Sequence, residues 1–225
     1  MRTRRDDGMT LLELIVAMGI SSILVALIAT IFVTTSRSFT DQEGSVESAR
    51  LASTAMNEVT RIVRAGTELP ASGEAQNRPV FSFAGAEKIE MASFIDAESS
   101  ADPAPLKVAF GRNSKNELVE TRWLADRYLT IYWKFRTDPE SSRIIARSLL
   151  PADASTPLFR YYDKDGAAIL PKGAASLTTE QIRNIASVQI TMQVQANGSG
   201  RTDPVTIQNL VGLPNLGVAR VEVSK

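Results

Sequence analysis

The stretch GMTLLELIVAMGISSILVALIATIFVTTS, Gly8–Ser36, sets the architecture of this chain. Leu14–Ser36 is a run of 23 residues without a charge, and twelve of the twenty from Leu14 to Val33 are Leu, Ile, Val or Phe. A bilayer core needs about 20 apolar residues in a helix, so this run is long enough to span one. At roughly −0.3 to −0.6 kcal/mol each, those twelve contribute about −4 to −7 kcal/mol toward insertion. Gly19, Ser21 and Ser22 do not spoil the span, because small residues are common where membrane helices pack closely. A core helix of a soluble domain is the alternative reading, and both the length and the absence of charge argue against it.

The flanks orient the span. Arg2, Arg4 and Arg5 precede it, whereas Arg37 follows it and gives way to Asp41, Glu43 and Glu47. The positive-inside rule then places Met1 in the cytoplasm and the large C-terminal part outside. A secretory signal peptide has an apolar region of about 7–15 residues and a small-x-small cleavage site. This run is longer, and Ala26 and Ala29 have the wrong spacing for such a site. The span is therefore expected to stay with the mature protein.

Glu13 breaks the apolar pattern where the chain enters the membrane, a place where a carboxylate is costly and needs a partner. Thr10-Leu11-Leu12-Glu13 has capping-box spacing, with Thr10 as N-cap and Glu13 reaching back to its amide. A cap accounts for the spacing. It accounts less well for a helix that starts immediately after Gly8.

The run Gly8-Met9-Thr10-Leu11-Leu12-Glu13-Leu14-Ile15-Val16 resembles the cleavage and assembly signature of type IV prepilins and type II secretion pseudopilins. The resemblance implies that a membrane-bound prepilin peptidase cuts after Gly8 and N-methylates Met9. Residues 1–8 would then be a leader peptide, residues 9–35 a transmembrane and assembly helix, and Glu13 the fifth mature residue. It further implies that Thr10, Leu11, Leu12 and Glu13 serve filament assembly, with Glu13 neutralising the α-amine of Met9 on a neighbouring subunit. In apolar surroundings that attraction is strong, and a register that leaves either charge unpaired is penalised. Met9 stands where the family most often has Phe, and Asp6 and Asp7 place acid beside the cut.

Composition removes most rival functions. The 225 residues carry 25 basic and 25 acidic side chains, 44% hydrophobic residues, and neither histidine nor cysteine. Disulfides, Cys/His zinc sites, thiol nucleophiles and His-dependent triads are thereby excluded. A balanced charge supplies no drive toward nucleic acid, so no direct nucleic-acid partner is expected. A carboxylate-based hydrolase is the remaining enzymatic option, and no spacing singles out its residues. No cofactor or metal is expected, and the chain is read as a non-enzyme.

All ten prolines lie from Pro70 onward, which suggests one long N-terminal helix followed by a turn-rich domain. Projected at about 100° per residue, Leu51, Ala52, Ala55, Met56, Val59, Ile62 and Val63 share one face, opposite Glu47, Arg50, Glu58, Arg61 and Arg64. Residues 36–66 are thus an amphipathic continuation expected to dock on a sheet, ending at Ala65-Gly66. At 1.5 Å per residue the helix from Thr10 to Arg64 would measure roughly 80 Å, loosened near Gly44. Residues 67–225 then form a β-rich outer domain.

Within it, period-two alternation predicts one long strand at Arg127–Phe135 and another at Val188–Val194. Further strands are expected at Val80–Phe83, Lys88–Phe94, Leu106–Phe110, Leu118–Trp123, Ile144–Leu149, Leu158–Tyr162, Val205–Leu210 and Val218–Val223. They should pair antiparallel, with a short helix at Thr178–Asn184. The fold class is α+β and pilin-like. The strand order, with Phe159–Asp163 running into Asp165-Gly166, resembles J-type pseudopilins and W-type minor pilins. Glu13 argues against the K-type tip subunit, which characteristically lacks that acid.

Several small motifs admit two readings. Asp163-Lys164-Asp165-Gly166 opens like a calcium loop, but Asp-Gly is also a standard hairpin turn and the later ligands are missing. Asn197-Gly198-Ser199 is a glycosylation triplet or a turn. Arg61 and Arg64 face head groups, DNA or simply solvent, and Trp123 and Trp133 read as core anchors.

The expected protein is a minor pilin or pseudopilin of a type IV pilus or type II secretion filament. Its expected partners are the prepilin peptidase, other pilin or pseudopilin subunits, an inner-membrane assembly platform and membrane lipid. It would sit as a single-pass protein in the cytoplasmic membrane before joining a filament. The rival reading is a permanently anchored outer-face binding protein in which Glu13 only caps a helix.

Overall fold

Fifty-odd residues without proline, rich in Ala, Leu, Ile and Val, form one continuous run of helix. In the computed structural model this is α1, Leu11–Arg64. The structure describes residues 10–73, 76–95, 104–129, 131–151, 155–171, 175–195 and 204–214. The leader, Gly8, Met9, the triplet at Asn197 and the strand expected at Val218–Val223 lie outside these residues. The chain divides into two compact units, 1–44 and 45–225, and the boundary falls within α1.

In the first unit the helix carries its large apolar side chains outward. Leu11, Ile15, Ile20, Ile23, Leu24, Ile28 and Phe32 are all exposed.

In the second unit the helix is amphipathic as expected. Ala52, Ala55, Met56, Val59, Ile62 and Val63 are buried, whereas Arg50, Arg61 and Arg64 stay exposed. Each fully buried aliphatic side chain on this face contributes about 1.5–3 kcal/mol relative to exposure. The helix stops where predicted, before Ala65-Gly66. Gly66 is required there for space: a Cβ would lie 2.6 Å from Met91 Cε, 2.8 Å from Val80 Cγ1 and 2.9 Å from the Val63 carbonyl oxygen.

Eleven strands follow: β1 Phe81–Ala84, β2 Lys88–Ser93, β3 Leu106–Arg112, β4 Leu118–Trp123, β5 Ala125–Tyr128, β6 Tyr132–Phe135, β7 Ser141–Ala146, β8 Phe159–Tyr162, β9 Ala168–Ile169, β10 Ser187–Val194 and β11 Val205–Gly212. A five-stranded sheet has the order β1-β2-β3-β4-β7, a four-stranded one β11-β10-β8-β9, and β5-β6 stands as a hairpin of its own. All these pairings are antiparallel, which confirms the α+β expectation. The short helix α2, Thr179–Arg183, forms behind a capping box built by Thr178 and Gln181.

The apolar helix face and both larger sheets share one core. Ile89, Met91, Val108, Phe110 and Leu118 come from the first sheet, and Tyr161, Val188, Ile190 and Met192 from the second. Polar pegs fix α1 over both: Ser93 Oγ donates to the Ile62 carbonyl at 3.1 Å, and Asn209 Nδ2 donates to Thr60 Oγ1 at 2.9 Å. Tyr161 ties the sheets together, its ring edge-on to Phe81 and its hydroxyl donating to the Gly85 carbonyl at 2.6 Å.

One strand expectation fails. Arg127–Phe135 is not a single half-buried strand; Leu129 turns back with a φ of 45°, and β5 pairs with β6. Both alternating sets in this run contain large apolar residues, so the period of two could not reveal a turn in its middle. Leu129, at 61%, and Ile131, at 58%, are exposed rather than packed. The left-handed conformation costs leucine roughly 1–2 kcal/mol. The tryptophans are not core anchors either. Trp123 is half-buried with Lys107 Nζ 4.0 Å from its ring centroid, and Trp133 is half-buried beneath the Arg127 guanidinium at 5.0 Å.

Candidate assembly site on the N-terminal helix

Thr10 and Glu13 meet at the start of α1. The Thr10 amide donates to Glu13 Oε2 at 3.0 Å, the Thr10 hydroxyl reaches the same oxygen at 3.0 Å, and the Glu13 amide donates to Thr10 Oγ1 at 3.3 Å. The reciprocal pattern is a capping box, which satisfies amides that the first helical turn leaves open. Both of Thr10's groups use Oε2, and among the described residues Oε1 accepts nothing. A second donor can therefore approach Glu13 without dismantling the cap. Leu11 and Leu12, at 77% and 72% exposure, flank this pair and make no local cluster with it.

Beyond the cap, Leu11–Thr40 is long and apolar enough to cross a membrane, with a mean hydropathy of 2.6 and none of that window buried. Several of its hydroxyls are satisfied within the helix: Ser22 donates to the Met18 carbonyl at 2.7 Å, Thr30 to Ala26 at 2.8 Å and Thr34 to Thr30 at 2.8 Å. Such back-bonding removes the cost of carrying a hydroxyl into an apolar medium. Ala17, Ser21, Ser22, Ala26 and Ala29 line a shallow furrow on this helix. Small side chains of this kind allow another helix to approach closely.

The Asp163-Lys164-Asp165-Gly166 motif folds as a turn. Asp163 Oδ1 accepts the Asp165 and Ala167 amides at 2.9 and 2.8 Å, and Gly166 has a φ of 79°. The carboxylate is thus holding the β8–β9 hairpin turn. Among the described residues no group of three or more acidic side chains is placed to hold a metal ion.

A cluster that sequence reasoning missed lies on the sheet domain. Glu120 is buried, with its carboxylate held by Arg122 and by Arg143 Nε at 2.6 Å. Glu58, placed on the solvated face from sequence, is half-buried and accepts Arg122 Nη2 at 2.9 Å and Arg61 Nη2 at 3.0 Å. Partial burial pushes the Glu58 carboxyl up, but the hydrogen bond from Arg61 and the charges of Arg61, Arg143 and Arg122 outweigh it, so the group sits below its ordinary range. Hydrogen bonding to Glu120 raises Arg143 above its ordinary value. This network bolts α1 to the β4–β7 edge. Its members are up to 85 positions apart, so no local pattern could have announced it.

Residues 3–29 match the family model described as the prokaryotic N-terminal methylation motif. No curated protein and no solved structure matches the chain. The matched segment contains the Thr10–Glu13 cap and most of the exposed apolar run, and the C-terminal domain has the α+β form of a helix laid on antiparallel sheets. This motif on an unburied apolar helix is consistent with the N-terminus of the type IV pilin-like family and fits membrane anchoring of a prepilin-type protein.

Proposed function

We propose that the protein is a minor pilin or pseudopilin of a type IV pilus or type II secretion filament. Prepilin peptidase cuts it after Gly8, Met9 is N-methylated, and the helix beginning at Met9 packs in the filament core while the sheet domain faces outward. The observation that carries this reading is the methylation motif at 3–29 on an unburied apolar helix, with one carboxylate, Glu13, where that helix begins. In the assembled state Glu13 pairs with the Met9 amine of a neighbour. The open Oε1 supports such a pairing, since the cap and the ion pair then use different oxygens. A charge removed from water needs an excellent partner, so the pairing selects one axial register among many.

The competing reading, a permanently anchored outer-face protein, draws on the same cap, because Thr10 already gives Glu13 a local task. Mass analysis and N-terminal sequencing of the mature protein separate the two. A terminus at Met9, with or without a methyl group, supports the pilin. An intact Met1 leader on all of the cellular protein overturns it.

A further inference from the structure

The two larger sheets end in four outermost strands, β1 and β7 of one, β9 and β11 of the other. Each presents a row of backbone N–H and C=O groups that no strand among the described residues pairs, and such a row is a template for a further strand. β9 has two residues, and β1 has four with a register shift among them. β11 is long but carries no charge. β7 differs from all three. Ser141, Ser142, Arg143 and Ile144 are exposed in succession, before the chain turns at Ser148 and joins β10 through Leu149 and Val194.

Beside this edge, α1 and β7 enclose a groove of about 500 Å³ whose lining includes Thr54, Asn57, Glu58, Arg61, Arg143 and Ile144. Its charges do not cancel. Arg61, Arg122 and Arg143 each bring an Nη2 to the same Glu58 Oε1, at 3.0, 2.9 and 2.5 Å, and Glu120 accepts from Arg122 and Arg143. Arg61 and Arg143 stay half-exposed, at 52% and 54%. Arg64, one helical turn past Arg61, is exposed and forms no ion pair among the described residues. Four arginines thus stand against two carboxylates. The neighbouring pairs are closed, Arg50 with Glu47 and Arg147 with Glu117. Asp138 and Glu140 precede β7 and do not line the groove, and Glu140 acts on Arg136.

An open strand edge beside a cationic wall fits an acidic strand. Added to β7, it would pair the backbone row, lie against Ile144 and bring a carboxylate to Arg61 and Arg64. A second copy does not offer one among its described strands. β1, β7, β9 and β11 contain no Asp or Glu, and the one acid of the β5–β6 hairpin, Asp126, is closed on Arg136 at 2.8 Å. A lipid head group would meet the arginines and leave the strand edge unpaired.

We propose that the open edge of β7, with the arginine-lined groove beside it, docks an extended acidic segment of a different filament subunit. The inference rests on the pilin reading and deepens it by naming a contact outside the apolar helix.

The chain has no cysteine, so Ser142→Cys introduces its sole thiol at an exposed point of β7. The full-length variant, labelled on filament-forming cells with a maleimide photo-crosslinker and illuminated, should join a different protein that bears the N-terminal methylation motif. Peptide sequencing should place the adduct in a segment containing Asp or Glu. An adduct with lipid, a homodimer of this chain, an adduct on a segment without acid, or no adduct overturns the proposal. Ile144→Lys sets a charge where the added strand would lie, a device that blocks strand addition. It should be cut at Met9 and melt within a few degrees of the parent, yet enter filaments at least about tenfold less, roughly 1.4 kcal/mol. Arg64→Glu leaves the Glu58 and Glu120 network intact and reverses one charge of the excess. It should lower incorporation by about threefold or more, the scale of one exposed ion pair. Normal incorporation of a folded Ile144→Lys overturns strand addition. Normal incorporation of Arg64→Glu overturns the acidic occupant, even where Ile144→Lys disturbs the sheet. In each preparation the N-terminus is sequenced: a Met9 terminus with a failed β7 result leaves the pilin reading intact, and its absence removes both.

Discussion

Glu120 shows how a single residue resists local reading. It lies in β4 between Val119 and Thr121, yet the residue is 1% exposed and both carboxylate oxygens are occupied by guanidinium groups. Removing one partner of a buried charge cluster leaves the others uncompensated, at about 3 kcal/mol or more. Glu120→Ala should therefore lower the unfolding temperature of the sheet domain by about 6–12 °C, read by circular dichroism. Glu58 adds a pH dependence. Its carboxyl sits below the ordinary value in the folded protein, so it contributes stability that is full above about pH 4.5 and lost as the pH falls through the lower folded value. Glu58→Gln should flatten that acid limb in a series of melts from about pH 6 to pH 3, and an unchanged slope would assign the acid sensitivity elsewhere. Tyr161 obeys a simpler rule. Burial drives its phenol well above the usual range, so its ionisation should appear only together with unfolding in an alkaline absorbance titration.

At the scale of elements, legibility tracked how each element is buried. In β10, Val188, Ile190, Met192 and Val194 are all buried in the core, and the alternation printed in the sequence is the alternation of burial except at Thr191, which is buried too. The amphipathic half of α1 was equally readable, because one face has a single apolar surface to meet. The β5–β6 run was not, since among the described residues no other strand pairs with it and its apolar residues occupy both phases of the alternation. The junction after α1 rests on Gly66. A methyl there collides with two side chains and a carbonyl, and of these only the Met91 end is flexible. Gly66→Ala should cost about 1–3 kcal/mol through overpacking, lowering the melting temperature of the full-length protein by a few degrees. A melt equal to the parent would mean that Met91 and Val80 move aside freely.

For the whole molecule the decisive prediction concerns what Glu13 does. A capping box accepts Glu or Gln at its third position, so Glu13→Gln keeps the cap and deletes the charge, whereas Thr10→Ala does the reverse. If charge pairing drives assembly, Glu13→Gln should still be cut at Met9 yet incorporate about a hundredfold less, as expected for about 3 kcal/mol lost from a buried pair. Thr10→Ala should incorporate within a few-fold of the parent. Equal incorporation of Glu13→Gln and parent, measured on sheared filaments, would reduce Glu13 to a cap.

The sequence by itself determined the apolar helix, its amphipathic continuation, the N-terminal motif and the antiparallel character of the domain. Each of these is written in neighbours three, four or two positions apart, and helix and strand geometry converts such spacing directly into faces. Only the tertiary structure decided that Arg127–Phe135 folds back on itself, that the tryptophans lie under cations instead of in the core, and that Glu58 and Glu120 share two arginines across α1, β4 and β7. Those outcomes depend on which surfaces find a cover and which charges find each other over long chain separations, and no local period encodes either.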